Sequence, residues 1–439
     1  MARQHAGLDP RLDARVVKRA KSVLMIAFHF PPQRGSSGIQ RTLQFVRRLP
    51  ALGWQPLVLS AAPRAYDSVG PDQLDEIPRG VPVRRAFALD SARHLAFKGR
   101  YLGWTALPDR WVSWLLGAVP AGLALIRRHR PQAIWSTYPI ASAHLIGLVL
   151  QRVSGLPWIA DLRDPMIDAS HPTGRARRRA ASWVEARTVR HCSVAVCTTP
   201  GAVRSYQARY PDLPKERFRL IENGYDEAAF AGVVPEPRVP GPLRLLHSGI
   251  VYPSERDPGP LFAALAALRA RARIDAGSLR LVLRAAVHDD FLLQLVHQHG
   301  VADLVEIAPP LPYRAALAEM LGADALLLLQ AANCNDQVPA KLYEYLRAAR
   351  PLLALTDARG DTAAVLRGCG IDTVGPLDDA AAIETALERF LDLMAAGQAP
   401  LASLEAVRAC ERGARAAQLA LLLDEVCGVK QAVKSSNAP

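Results

Sequence analysis

Gln330-Ala-Ala-Asn-Cys-Asn-Asp-Gln-Val-Pro-Ala-Lys-Leu-Tyr-Glu-Tyr-Leu-Arg-Ala-Ala-Arg-Pro351 is the stretch on which the fold reading turns. Apolar runs precede it (Ala325 to Leu329) and follow it (Leu352 to Leu355), so it reads as strand, polar loop, helix, strand. Pro339 suits the first helical position, where its missing N–H would have no intrahelical partner, and Pro351 stops the helix. Lys341 then lies in the first turn and Glu344 about one turn further on. A helix N-terminus with one cation and one carboxylate can receive a phosphate ester with sugar hydroxyls beside it. The same residues also suit an ordinary surface helix with a solvated lysine and glutamate.

Working outward, the same alternation of apolar runs and helix-like segments fills the chain. Ser22 to Phe28 reads as a strand, His29 to Gly38 as a turn-rich loop, Ile39 to Leu52 as a helix and Leu57 to Ser60 as the next strand. That is a βαβ opening with a glycine-containing loop at the carboxyl end of its first strand, where doubly wound folds bind ligands. Four prolines within Val233 to Pro242 mark a linker, after which the rhythm restarts. The expected organisation is a tail at 1–20, an N-terminal Rossmann-like domain at 21–232, the linker at 233–242, a C-terminal Rossmann-like domain at 243–400, a helix at 401–427 and a tail at 428–439. Two such domains leave a cleft between their carboxyl-end loops.

The net charge of +13 is unevenly spread. Residues 1–225 hold 34 Lys and Arg against 15 Asp and Glu, a balance of +19, whereas 226–439 hold 20 against 26, a balance of −6. A basic half suggests an anionic partner such as a membrane, a lipid phosphate or a nucleic acid. No nucleic-acid module is recognisable, and nucleic acid is not the expected partner. Trp104, Trp111 and Trp114, followed by Arg127, Arg128 and Arg130, suit a membrane interface, and so do the arginines of the helix-like segment from Arg175 to Arg190. A helix packed on the sheet with a basic last turn explains the first group equally well. The apolar run Trp111 to Ile126 is short for a spanning helix and is broken by Gly117, Pro120 and Gly122. The six cysteines show no metal-ligand spacing and read as thiols in a reducing compartment. The N-terminus has no apolar signal core.

Five motifs in order, Phe30-Pro-Pro with Gly35 and Arg41, Asp161-Leu-Arg-Asp-Pro165, Glu222-Asn-Gly-Tyr-Asp226, Ser248-Gly-Ile-Val-Tyr-Pro-Ser-Glu-Arg-Asp-Pro258 and Val338-Pro-Ala-Lys-Leu-Tyr-Glu-Tyr-Leu346, resemble those of the retaining glycosyltransferases of family 4. The resemblance implies the GT-B fold, two Rossmann-like doubly wound domains facing across a cleft, with the C-terminal helix returning to the N-terminal domain. It implies a nucleotide-sugar donor and a sugar or lipid-linked acceptor, with no metal or other cofactor. The family's paired acidic positions fall on Asp336 and Glu344, with Glu344 receiving the donor ribose and Asp336 in a catalytic role near the donor sugar. Arg256 and Lys341 would face the diphosphate, with Gly35, Gly38 and Gly249 lining the donor site. A second basic position of the family is Ile250 here. Asp161 and Arg163 fall among the catalytic candidates and Arg41, His29 and Asp164 among those for the acceptor. For Asp161, Arg163 and Asp164 an Asp/Arg ion pair that merely fixes the loop is the alternative, and His144 is expected to be packed.

The expected protein is thus a cytoplasmic glycosyltransferase, peripheral at the inner face of an anionic membrane, retaining and metal-independent, serving cell-envelope or exopolysaccharide synthesis. The rivals are a GT-B nucleotide-sugar epimerase and a basic membrane- or nucleic-acid-binding protein with a vestigial cleft.

Overall fold

A computed structural model describes residues 21–34, 37–71, 73–163, 165–167 and 172–428. Gly35 and Asp164, and the expected terminal tails apart from residue 428, lie outside the described residues.

The most apolar runs become the central strands. Val23, Leu24, Met25 and Ile26 have no exposure at all, nor do Leu326 to Leu329, as expected for parallel strands covered by helices on both faces. The first sheet contains β1 (Lys21–Ile26), β2 (Trp54–Ala61), β3 (Val83–Ala86), β4 (Ala133–Thr137), β5 (Trp158–Arg163), β6 (Val194–Cys197) and β7 (Phe218–Leu220), in the order 3-2-1-4-5-6-7. The second contains β8 (Leu243–Ser248), β9 (Leu279–Arg284), β10 (Val305–Ala308), β11 (Ala325–Leu329), β12 (Leu352–Leu355) and β13 (Val374–Gly375), in the order 10-9-8-11-12-13. The described pairings are parallel throughout both sheets. The order reverses between β1 and β4 in one sheet and between β8 and β11 in the other. At such a reversal the connecting helices leave to opposite faces and open a crevice at the strands' carboxyl ends. The loops after β8 and β11 are the Ser248 to Pro258 and Gln330 to Ala340 segments.

The proline-rich segment before β8 is held against the second domain, with Glu236 N–H donating to the Ala318 carbonyl and Arg238 paired to Asp324. At the other end of the chain a short helix (Leu404–Ala409) breaks before the longer one (Arg412–Val426), where the sequence suggests a single helix. The longer helix crosses back to the first domain. Its Leu419 and Leu423 join Val23, Met25, Leu43 and Trp54 in one core cluster, and the Trp54 indole N–H donates to Asp424 at 3.0 Å.

Trp114 is fully buried, and Trp111 packs on Phe28 with its indole N–H donating to the Ala65 carbonyl. The membrane-interface reading therefore fails for these two: the apolar face of the helix Trp114–His129 lies on the sheet. Trp104 is 71% exposed. Among the described residues no helix is long and apolar enough to cross a membrane.

Truncating Leu423 to Ala should remove about 2–5 kcal/mol of stability, the usual range for a buried leucine, and should lower the denaturation midpoint of the first domain. A midpoint unchanged within error would mean that the returning helix is not part of that core.

Candidate functional site

Helix Lys341–Ala348 follows β11 after a loop in which Pro339 precedes the helix, because the chain first makes a tighter turn with Leu342 N–H donating to the Pro339 carbonyl. Lys341 in the first turn points at the end of β8. There the fully buried His247 donates from Nδ1 to the Leu327 carbonyl at 2.9 Å, which leaves Nε2 to accept from the Lys341 ammonium at 3.0 Å. Gly249, at φ +116°, leaves the space the ammonium fills: a Cβ there would lie 2.8 Å from Lys341 Nζ. Burial, and then repulsion from Arg256, lower the Lys341 pKa to about 7, and burial with the same ammonium holds His247 neutral.

Glu344, one turn further on, accepts from the Tyr313 hydroxyl at 2.7 Å. Burial raises its pKa, against which Tyr313, Arg412 and Lys341 favour the carboxylate. Both Lys341 and Glu344 line a cavity of about 1030 Å³ between the two domains. Its walls carry Arg34, Arg41, Arg47 and Arg163 from the first domain, Arg314 and Lys341 from the second, and Arg412 and Arg415 from the returning helix, against Glu76, Glu222, Asp226 and Glu344. A smaller cavity of about 150 Å³ adjoins it, sharing Arg163, Asn223 and Ala340, and holds Arg256, Glu255, Gln330 and Gln337. Arg256 is steadied by donating to the Ile250 carbonyl at 2.7 Å and lies over the Tyr252 ring.

Among the described residues of the first domain's Asp161 to Pro165 motif, Arg163 is the side chain that reaches both cavities. The β5 ladder slips between Asp161 and Arg163, and Arg163 takes φ +61°, a left-handed conformation that costs energy outside glycine. Its guanidinium comes close over Gly38, where a Cβ would meet Arg163 Nη1 at 2.9 Å and His29 Nδ1 at 2.8 Å. Burial and this neighbouring charge lower the His29 pKa to about 4, so the ring is neutral near pH 7. His29 and Gly38 support Arg163 from behind the cavity walls.

Three expectations are corrected. Asp161 is fully buried and bound by Arg41 through two bonds of 2.8 and 3.0 Å, with the Thr137 hydroxyl as a further donor at 2.8 Å. A carboxylate so enclosed has no access to substrate and is not catalytic. Arg41, though it lines the larger cavity, spends its other donors on the Ile221 and Glu222 carbonyls and on Asn223, so it ties helix Ser37–Arg48 to β5 and to the chain leaving β7, a structural role in place of the acceptor contact expected. This is the loop-fixing ion pair of the alternative, made with Arg41 in place of Arg163. Asp336 lies outside both cavities: the Thr199 hydroxyl donates to its carbonyl at 2.6 Å, and Arg204 draws its carboxylate to 3.8 Å at the contact between domains. His144 is buried and bonded to Ser136 Oγ, as expected of a packed histidine.

Four contributors went unnoticed in the sequence: His247, Glu255, Tyr313 and Arg412. His247 ends a strand immediately before Ser-Gly, and Glu255 adjoins Arg256, so both carried a positional signal. Tyr313 and Arg412 carried none, being brought in by the turn after β10 and by the returning helix. Arg412 is fixed by its own N–H bond to the Tyr225 carbonyl, and its side chain reaches Gln40 at 3.4 Å across the cleft. Among the described residues no group of three or more His, Cys, Asp or Glu could hold a metal ion.

Residues 37–224 match the family described as "Glycosyl transferase 4-like domain". No curated protein matches the sequence. Among solved structures the chain is similar to sucrose-phosphate synthase from Thermosynechococcus elongatus, at 17% identity and TM-score 0.65 over 93% of this chain and 100% of that one. It is also similar to the Anabaena protein HepE in complex with UDP-glucose, at 14% identity and TM-score 0.59 over 92% and 99%. A third likeness is to a putative UDP-N-acetylglucosamine 2-epimerase from Listeria monocytogenes, at 12% identity and TM-score 0.57 over 94% and 98%. At these identities the likenesses establish the two-domain GT-B fold across nearly the whole chain.

A diphosphate beside Lys341 would raise the lysine pKa from about 7, so binding should take up a proton above that pH. Affinity should be greatest where the lysine of the free protein is already protonated, and should fall by up to about tenfold per pH unit as pH rises from 7 towards the bound-state pKa. Calorimetry with a nucleoside diphosphate at pH 8 should give a binding enthalpy that depends on the ionisation enthalpy of the buffer. Equal enthalpies across buffers would contradict this reading of Lys341.

Proposed function

We propose that this chain, which has the GT-B fold and matches a glycosyl transferase 4-like domain over residues 37–224, is a glycosyltransferase that moves a sugar from a nucleotide-sugar to a lipid-linked acceptor with retention of anomeric configuration. The observation that carries the reading is the convergence of Glu344, Lys341, Arg256 and Arg163 on two joined cavities at the carboxyl ends of both sheets. The UDP-glucose held by a structural neighbour of the same fold supports a nucleotide-sugar as donor.

In this reading the Glu344 carboxylate accepts hydrogen bonds from the ribose hydroxyls, replacing the one from Tyr313. The diphosphate lies by Lys341, Arg256 and the amides opening helix Lys341–Ala348, with Arg163 facing it from the other domain. The sugar enters the smaller cavity, where Glu255 takes over the contact with its hydroxyls that the resemblance gives to Asp336. As the C1–O bond to the phosphate breaks, negative charge grows on the leaving oxygen, and prearranged cations and helix amides stabilise it without reorganising. Asp161 and Asp336 are both engaged elsewhere, so we assign no carboxylate nucleophile. The acceptor oxygen bonds to C1 on the face the diphosphate leaves, and its proton passes to the departing phosphate oxygen. We propose no metal in this step. The arginines of the first-domain wall suit an acceptor that carries a phosphate, and six cysteines that form no disulfide suit a reducing, cytoplasmic compartment.

Two variants test the assignment. Glu344→Ala should abolish the thermal stabilisation by UDP-glucose and by other nucleotide-sugars that bind the wild type. Wild-type transfer by that variant, or turnover of the nucleotide-sugar without any acceptor, would overturn the proposal. Glu255→Gln should raise the donor KM about tenfold, the worth of a hydrogen bond to a charged group, with a smaller effect on kcat. A kcat loss of roughly 10⁴-fold or more would instead mark Glu255 as a nucleophile.

A further inference from the structure

Between β3 and helix Trp114–His129 the first domain carries a projecting finger. Its base is formed by two short helical turns, Ser91–His94 and Gly103–Ala106, tied together by the Ser91 hydroxyl donating to the Thr105 carbonyl. Its tip is a tight reversal in which the N–H groups of Phe97 and Arg100 each bond the other's carbonyl, at 2.8 and 3.0 Å. Lys98 and Gly99 lie at the turn with φ +50° and +75°. Two consecutive left-handed residues make a turn whose twist matches paired strands, so the tip is a defined shape and not a loose loop.

This finger displays what a globular surface normally hides. Phe97 is 78% exposed, Trp104 71% and Leu102 64%, with Leu95 exposed beside them in sequence. Large side chains exposed singly are ordinary, but several on one short projection mark an interaction site. From Ser91 to Pro108 the chain contains Arg93, His94, Lys98 and Arg100 and no acidic residue. Arg93 is paired to Asp67, whereas Lys98 and Arg100 stand exposed at the tip. Exposed apolar side chains from tip to base, flanked by Lys98 and Arg100, match an anionic lipid surface: the aromatic rings would enter the interface while lysine and arginine remain at the headgroups. A protein partner would need a shaped, acidic counterpart, whereas the bilayer needs only what this finger offers.

We propose that the finger Leu95 to Trp104 is the element by which the protein docks on an anionic membrane. It leaves the sheet after β3, on the carboxyl-end side of the strands, the side on which the cleft also opens. A lipid-linked acceptor held by the same bilayer would then lie on the side of the sheet on which the larger cavity opens. That last consequence rests on the glycosyltransferase reading, whereas the docking itself does not.

The test is co-sedimentation of the full chain with vesicles of phosphatidylglycerol and phosphatidylcholine, or of phosphatidylcholine alone. Wild-type protein should bind the anionic vesicles and bind the neutral ones at least tenfold more weakly. Replacing Phe97, Leu102 and Trp104 together by Ser should reduce anionic binding at least tenfold, and Lys98→Glu with Arg100→Glu should remove the preference for anionic lipid. Because these side chains are exposed, both variants should keep the wild-type melting temperature and the wild-type thermal shift with UDP-glucose. That nucleotide shift reports on the catalytic reading separately, so either claim can fail alone. Full binding by the serine variant, loss of binding only when Arg177, Arg178 and Arg179 are neutralised, or no wild-type binding to anionic vesicles at low salt would each overturn the proposal.

Discussion

A buried ammonium group organises the cleft. Lys341 lies behind the loops that follow β8 and β11, where its nearest polar partner is a neutral imidazole and its nearest charge of the same sign is Arg256. Burying a cation beside another cation is costly unless an anion shares the space. The surrounding architecture accepts that cost: Gly249 gives up its side chain to make room, His247 is locked in the tautomer that accepts from the lysine, and Glu344 follows one turn along the same helix. In the proposed function a diphosphate ester would answer that demand, because it would carry a compensating charge and bring ribose hydroxyls to the carboxylate.

The opposite wall is built on a different principle. Arg41 and Asp161 form a closed pair that holds the first helix, β5 and the chain after β7 together, with every donor of the guanidinium engaged. That rigid clamp leaves Arg163, two residues on, projecting into the cleft from a left-handed backbone over Gly38. One arginine of the motif neighbourhood thus serves structure and the other lines both cavities. The returning helix joins the two walls, since Arg412 reaches Gln40 on one side and lies near Glu344 and Tyr313 on the other.

Much of this was legible in the sequence because it depends on local pattern. Unbroken apolar runs such as Leu326 to Leu329 read as strands covered on both faces, and Pro339 marks the helix start, whereas the sequence left open whether Lys341 and Glu344 line a cavity or an ordinary surface. The roles of Asp161, Arg41 and Asp336 were not legible, because each is decided by a partner more than a hundred residues away, from Asp161 on Arg41 to Arg204 on Asp336. A carboxylate in a motif looks the same in one dimension whether it faces a substrate or a guanidinium. The tryptophans repeat the lesson: Trp104 and Trp114 are alike in sequence, but one stands on an exposed turn and the other opens a helix and is buried in the core.

The proposed function depends above all on where a donor diphosphate would lie. A crystal structure of the chain with a nucleotide-sugar or its nucleoside diphosphate should show phosphate oxygens within hydrogen-bond distance of Lys341 Nζ and the Arg256 guanidinium, with both ribose hydroxyls on Glu344. A diphosphate seated on the Arg34 and Arg47 side of the larger cavity, with Lys341 still bonded only to His247, would contradict it.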